Sequence, residues 1–99
     1  MNITKTQNDG KTTFALSGRL DTTTAPKLQD ALIPAFDGAK HIELDFTEIA
    51  YVSSAGLRVL LMGAKTAKAK SCRQTLTGVS PEIMEIFEMT GFTDVLEIV

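Results

Sequence analysis

The chain has no tryptophan, a single tyrosine, a single cysteine and three prolines among its 99 residues. One thiol, Cys72, excludes an internal disulfide and suits a reducing compartment, where a buried structural role is expected of it. No apolar stretch approaches the roughly 20 residues that span a bilayer. The segment Met1-Asn2-Ile3-Thr4-Lys5-Thr6 also lacks the apolar centre of a secretory signal, so the expected location is the cytoplasm, away from membranes. Positive charge is not in excess either. A formal net charge of −2 leaves no basic footprint for nucleic acid, and Lys65, Lys68 and Lys70 read as the solvated end of one helix.

The signatures of catalysis are also missing. There is no Walker-type glycine loop, dinucleotide fingerprint or metal-ligand cluster, so neither cofactor nor metal is expected. A serine nucleophile needs a base within hydrogen-bond reach. The only histidine, His41, starts a strand whose far end leads to the candidate serines, which places it at the opposite edge of a sheet, as a surface histidine without chemistry. Glu43, Asp45 and Glu48 around a strand end are better suited to solvating it or capping turns than to holding a cation. The expectation is a protein that is not an enzyme.

What is present is enough apolar residue, 43%, to bury one core in one domain over residues 1–99. The stretch from Asp45 to Leu61 organises it: the end of a buried strand, a short turn, a pair of hydroxyls at Ser53 and Ser54, and the first turns of a helix. Leu57, Leu60, Leu61 and Ala64 recur at helical spacing as an inward stripe, with Arg58, Lys65 and Ala69 opposite. Val59 and Met62 are assigned to the outward side with Arg58, as an adaptable apolar contact for a partner or as scattered exposed residues. Ser53 or Ser54 then sits at the helix N-terminus, where unpaired amides and the macrodipole favour a side-chain oxygen or an anion. On pattern alone the simpler reading is that one serine merely caps the helix and Gly56 merely permits close packing.

Either side of this stretch the elements alternate. Ile3–Thr6 and Thr12–Leu16 flank Asn8-Asp9-Gly10 as a hairpin. Thr22-Thr23-Thr24 is expected to cap a helix with Leu28, Ala31, Leu32 and Phe36 inward, kinked or ended by Pro34 near Ile33. His41–Phe46 alternates as a strand, and Cys72–Leu76 is another. Ser80-Pro81-Glu82 opens a last helix that Gly91 closes, with Leu96–Val99 as a final short strand. The order β-β-α-β-α-β-α, with a further β, implies an α/β domain with a mixed, largely parallel sheet of four to five strands and helices packed on it.

Ser17-Gly18-Arg19-Leu20-Asp21, Ser53-Ser54-Ala55-Gly56-Leu57, and Gly78-Val79-Ser80-Pro81 through Thr90-Gly91-Phe92 together resemble the STAS domain of bacterial anti-sigma factor antagonists. In that family the central turn reads Asp-Ser-Ser-Gly-Leu or Asp-Ser-Thr-Gly-Leu, and the first hydroxyl after the aspartate is phosphorylated by a partner that is both anti-sigma factor and serine kinase. The resemblance implies Ser54 as acceptor, with Ser53 as second choice. Ser53 stands where the family has aspartate and Ala55 where it has a second hydroxyl. Asp21 matches the acidic residue at the end of the Gly-x-Leu-Asp run.

The implied docking surface comprises Asp21, Thr22, Ser53, Ser54, Gly56, Arg58, Val59 and Met62. Implied partners are an anti-sigma factor/serine kinase and a resetting PP2C-type phosphatase, with this chain a monomer or weak dimer. The alternative within the same fold is a constitutive scaffold or accessory subunit, as in transporter complexes, with no phospho-switch. A third option is a sensor of a small ligand or nucleotide near the same turn.

Overall fold

The computed structural model describes all residues, 1–99. Strand β1 (Asn2–Asn8) turns through Asp9-Gly10 into β2 (Lys11–Leu20). Both turn residues have positive φ, 50° and 82°, the two-residue geometry whose twist matches an antiparallel hairpin. Then follow α1 (Ala25–Ala35), β3 (His41–Val52), α2 (Ser54–Ala69), β4 (Arg73–Thr77), α3 (Pro81–Met89), a 3₁₀ turn (Phe92–Asp94) and β5 (Glu97–Ile98).

The strands lie in chain order, β1-β2-β3-β4-β5, antiparallel at β1 and parallel thereafter. Crossovers between parallel neighbours are right-handed as a rule, and in this strand order that rule puts α1, α2 and α3 on one face of the sheet. The pleat agrees: Thr12, Phe14 and Leu16 of β2 and Ile42, Leu44 and Phe46 of β3 are buried beneath the helices, while Thr13, Ala15, His41, Glu43 and Asp45 are not.

Several sequence expectations are corrected. The segment after Phe46 is not a turn, because β3 continues to Val52 through two one-residue bulges, between the pairs Ala15↔Asp45 and Ser17↔Glu48 and between Gly18↔Ile49 and Arg19↔Tyr51. Asp45 Oδ1 accepts from the amide (2.9 Å) and hydroxyl (2.6 Å) of Thr47 at the first bulge, serving groups that pairing leaves free.

Helix α1 includes Pro34 but ends at Ala35, two residues past Ile33, and does not run through Phe36, which is its C-cap. Pro34 lies in the last turn on the exposed side, where water can serve the orphaned carbonyl. Its start is held not by a threonine side chain but by Asp21, described below. Cys72 is half-buried rather than buried, its thiol donating to Ala39 O at 3.3 Å.

Helix α2 buries Gly56, Leu57, Val59, Leu60, Gly63 and Ala67, and leaves Leu61 and Ala64 half-buried. Val59 therefore faces the core and not a partner. Two glycines allow the helix to sit low: a Cβ on Gly63 would stand 2.8 Å from Leu32 Cδ2 of α1 and 2.0 Å from Gln74 Oε1 of β4. The inward stripe is centred on these small residues, which rotates it by about one position from the leucine pattern. At α3 the expected signals are in place. Ser80 Oγ accepts from Ile83 N at 3.3 Å, Pro81 opens the helix, and Gly91 is left-handed at φ 77°.

Candidate docking and modification site

The central strand delivers the serine pair directly to a helix. Ser53 keeps strand-like geometry (φ −91°, ψ 175°), and its amide donates to Leu20 O at 2.8 Å, continuing the ladder with β2. Its Oγ accepts from Gly56 N at 3.4 Å, so Ser53 is the N-cap of α2. Ser54 is the first helical residue and is exposed. The two adjoining hydroxyls thus have different duties: one caps, the other faces solvent.

Gly56 is buried against the end of β2. A Cβ there would lie 2.7 Å from Leu20 Cγ and 2.9 Å from Leu20 O, so the absence of a side chain lets the helix start against Leu20, the residue before Asp21. The Asp21 carboxylate accepts from Thr23 Oγ1 (2.8 Å), Thr23 N (3.1 Å) and Thr24 N (3.1 Å), capping α1. Thr24 Oγ1 closes the corner by donating to Arg19 O at 2.7 Å and accepting from Asp21 N at 2.8 Å. These hydrogen bonds, led by the Thr23 hydroxyl, hold the Asp21 carboxyl below the usual aspartate range. Thr22 projects beside this corner, exposed.

Arg58 is exposed one turn into α2 and Met62 is half-buried one turn further on, so these two members of the expected surface are accessible where Val59 is not. Two more residues belong to this end of the sheet and were not singled out from sequence. Arg19 and Tyr51 are register partners on β2 and β3, with the guanidinium carbon 4.2 Å from the ring centroid and Tyr51 39% exposed. The signal for the pair lies in the parallel register, which two bulges obscure.

His41 is at the other end of β3, its Nε2 2.8 Å from Thr75 Oγ1. Burial, then the cations Lys11 and Arg73, push its pKa down, with Glu43 and Glu97 opposing. The largest cleft, about 520 Å³ between β1 and α1, is lined by Ile3, Phe14, Ala31 and Pro34 among others and does not include the serine turn. The serine end of the molecule lies outside that cleft and presents the exposed side chains of Ser54, Thr22 and Arg58.

Fold and site together define a small α/β domain with a capped, hydroxyl-bearing helix start. The chain belongs to the STAS domain family, whose model, described as "Mlab, STAS domain", matches residues 3–98. An anti-sigma-B factor antagonist from Listeria monocytogenes is 32% identical over 84 residues, covering 84% of this chain and 74% of the relative. The anti-sigma factor antagonist SpoIIAA in its unphosphorylated form shares the fold with a TM-score of 0.84 at 17% identity, over 99% of this chain and 88% of that one. The phosphorylated form of SpoIIAA, the Bacillus cell fate determinant, matches with a TM-score of 0.78 at 17% identity, over 99% and 91% of the two chains. No helix is long and apolar enough to cross a membrane.

Proposed function

We propose that this chain is an anti-sigma factor antagonist switched by phosphorylation of Ser54. In its unmodified form it binds an anti-sigma factor that is also an ATP-dependent serine kinase, and so frees a sigma factor. The reading rests on one observation: Ser54 is the exposed first residue of α2, while the capping duty falls on Ser53. The relatives named above supply the class of partner.

In the transfer, Ser54 Oγ forms a bond to the γ-phosphorus of ATP as the bridging bond to ADP breaks. ADP leaves with that electron pair, and the hydroxyl proton passes to a base on the kinase. The product carries about −1.5 to −2 charges at neutral pH. Within the domain the dianion sits at a helix N-terminus, where the macrodipole contributes a favourable ~0.3–1 kcal/mol, so the fold is retained. A partner docked over Ser54, Asp21 and Thr22 instead meets a new dianion beside an existing carboxylate. A loss of ~3 kcal/mol there weakens binding roughly a hundredfold. A phosphatase of the PP2C type resets the cycle.

The test is the intact mass of the protein from its own cells, with and without phosphatase, beside a Ser54→Ala version. A phosphate-sized increase that phosphatase removes and Ser54→Ala lacks supports the reading, whereas an increase that persists in Ser54→Ala moves the acceptor, Ser53 being next. No modified form under any growth condition, together with equal partner binding by Ser54→Ala and Ser54→Asp, would leave a constitutive scaffold.

A further inference from the structure

Arg58 stands four residues after Ser54 on α2, and both are exposed. In a helix, residues at this spacing share a face, and a long side chain leans back over the turn that precedes it, which carries the Arg58 guanidinium toward the surface around Ser54. Electrostatically the cation is at the wrong end of its helix, since the macrodipole disfavours positive charge near an N-terminus. Nothing local offsets this. The first turn of α2 contains no acidic residue, and Arg58 makes no ion pair, in contrast to Arg19 with Asp21 and Arg73 with Glu97. The nearby carboxylate of Asp21, on the β2–α1 corner, is already engaged by Thr23, Thr24 and Arg19. Tyr51, at the end of β3, lies under Arg19.

We infer that Arg58 is the intramolecular counter-ion of a phosphate on Ser54, an inference that rests on the reading of Ser54 as acceptor. In the unmodified chain the guanidinium is free on the docking surface; in the modified chain it closes onto the phosphate. An anion one turn before a cation is the favourable order for such a pair, and a guanidinium meets two phosphate oxygens at once. Modification then acts twice on the same surface, adding a dianion and withdrawing a cation. A partner that presents an acid to Arg58 loses that contact in the same step that introduces repulsion, while the domain neutralises part of the new charge internally.

The test installs phosphoserine at position 54 during synthesis, in the natural chain and in Arg58→Gln, and follows the phosphorus resonance by NMR against pH. The second ionisation of the phosphate is expected about 0.3 unit or more lower in the natural chain than in Arg58→Gln. Lys65→Gln, which removes an exposed cation further along the same helix, is expected to leave it unmoved. Equal midpoints with and without Arg58, or an equal shift from Lys65→Gln, would overturn the inference. Because the phosphate is installed synthetically, the titration is read whether or not cells modify Ser54. Absence of the modified mass from cells defeats the functional reading alone, and equal midpoints defeat the counter-ion alone.

Discussion

The guanidinium of Arg19 lies over the ring of Tyr51, 4.2 Å from its centroid, while Arg19 Nε stands 3.6 Å from Asp21 Oδ2. One side chain thus joins the ends of β2 and β3 to the corner that starts α1. At an exposed site a cation–π pair contributes about 0.5–1 kcal/mol. A double-mutant cycle of Arg19→Ala and Tyr51→Ala, read by chemical denaturation, should return a coupling of that size. Additive single effects would show that the stack carries no energy.

The two serines should separate cleanly in stability. Ser53→Ala removes an N-cap at a cost of about 0.5–1 kcal/mol, the lower range because the bond is 3.4 Å long, and should lower the melting temperature by roughly 2–8 °C. Ser54→Ala alters an exposed residue with no capping bond and should stay within ~0.5 kcal/mol of the natural protein. If Ser54→Ala melted lower than Ser53→Ala, the duties would be assigned the wrong way round.

Gly63→Ala is expected to destabilise even though alanine is the better helix former by about 1 kcal/mol. The added Cβ would stand 2.0 Å from Gln74 Oε1, the one buried side-chain oxygen without a hydrogen-bond partner. Gln74 resists moving because its Nε2 donates to Leu60 O at 3.1 Å inside the core. A net loss of about 1–3 kcal/mol follows from overpacking. In a Gln74→Ala background the same change should cost less, and an unchanged cost would place the strain elsewhere, at Leu32.

Acid should weaken the corner at Asp21. Its carboxyl is held below the ordinary value by the Thr23 hydroxyl first, then by the Thr24 amide, the Thr24 hydroxyl and the Thr23 amide, with burial opposing. A depressed folded-state pKa means that the contribution is complete above the unfolded value near 3.9 and is lost as pH falls through the folded value. Asp21→Asn retains an acceptor but has no charge to lose. Urea midpoints of the two proteins should therefore differ above about pH 4 and converge below it. A gap independent of pH would assign the effect to shape rather than charge.

Much of this architecture is legible in the residues, and the exceptions have identifiable causes. Asp9-Gly10, Ser80-Pro81 and Gly91 each impose a backbone geometry that few other residues take easily, so hairpin, helix start and helix stop appear in the sequence and recur in the structure. Glu48-Ile49-Ala50-Tyr51 conceals its strand because each bulge resets the pleat, leaving Ile49 and Val52 buried out of alternation. Val59 misleads for a different reason. The stripe of α2 follows Gly56 and Gly63, whose value lies in how closely other chains approach them, a tertiary quantity that hydropathy does not register. Asp21 matched a motif as a docking residue, yet its capping bonds depend on where the chain turns after Leu20. Of the serine pair, adjacency alone left the cap unassigned; the extended backbone at Ser53 and the bond its hydroxyl accepts from Gly56 N give it that duty.

Strand β3 passes into α2 through Ser53 alone, with no loop between them. Ser54 cannot be drawn out as an extended peptide without pulling the middle strand from the sheet and Leu57 and Leu60 from the core. The kinase proposed for Ser54 would therefore have to recognise the intact folded surface rather than a linear consensus. On the proposed reading, short peptides copied from residues around Ser54 should make poor substrates, and the selectivity of the proposed modification should be as demanding as that of the proposed docking.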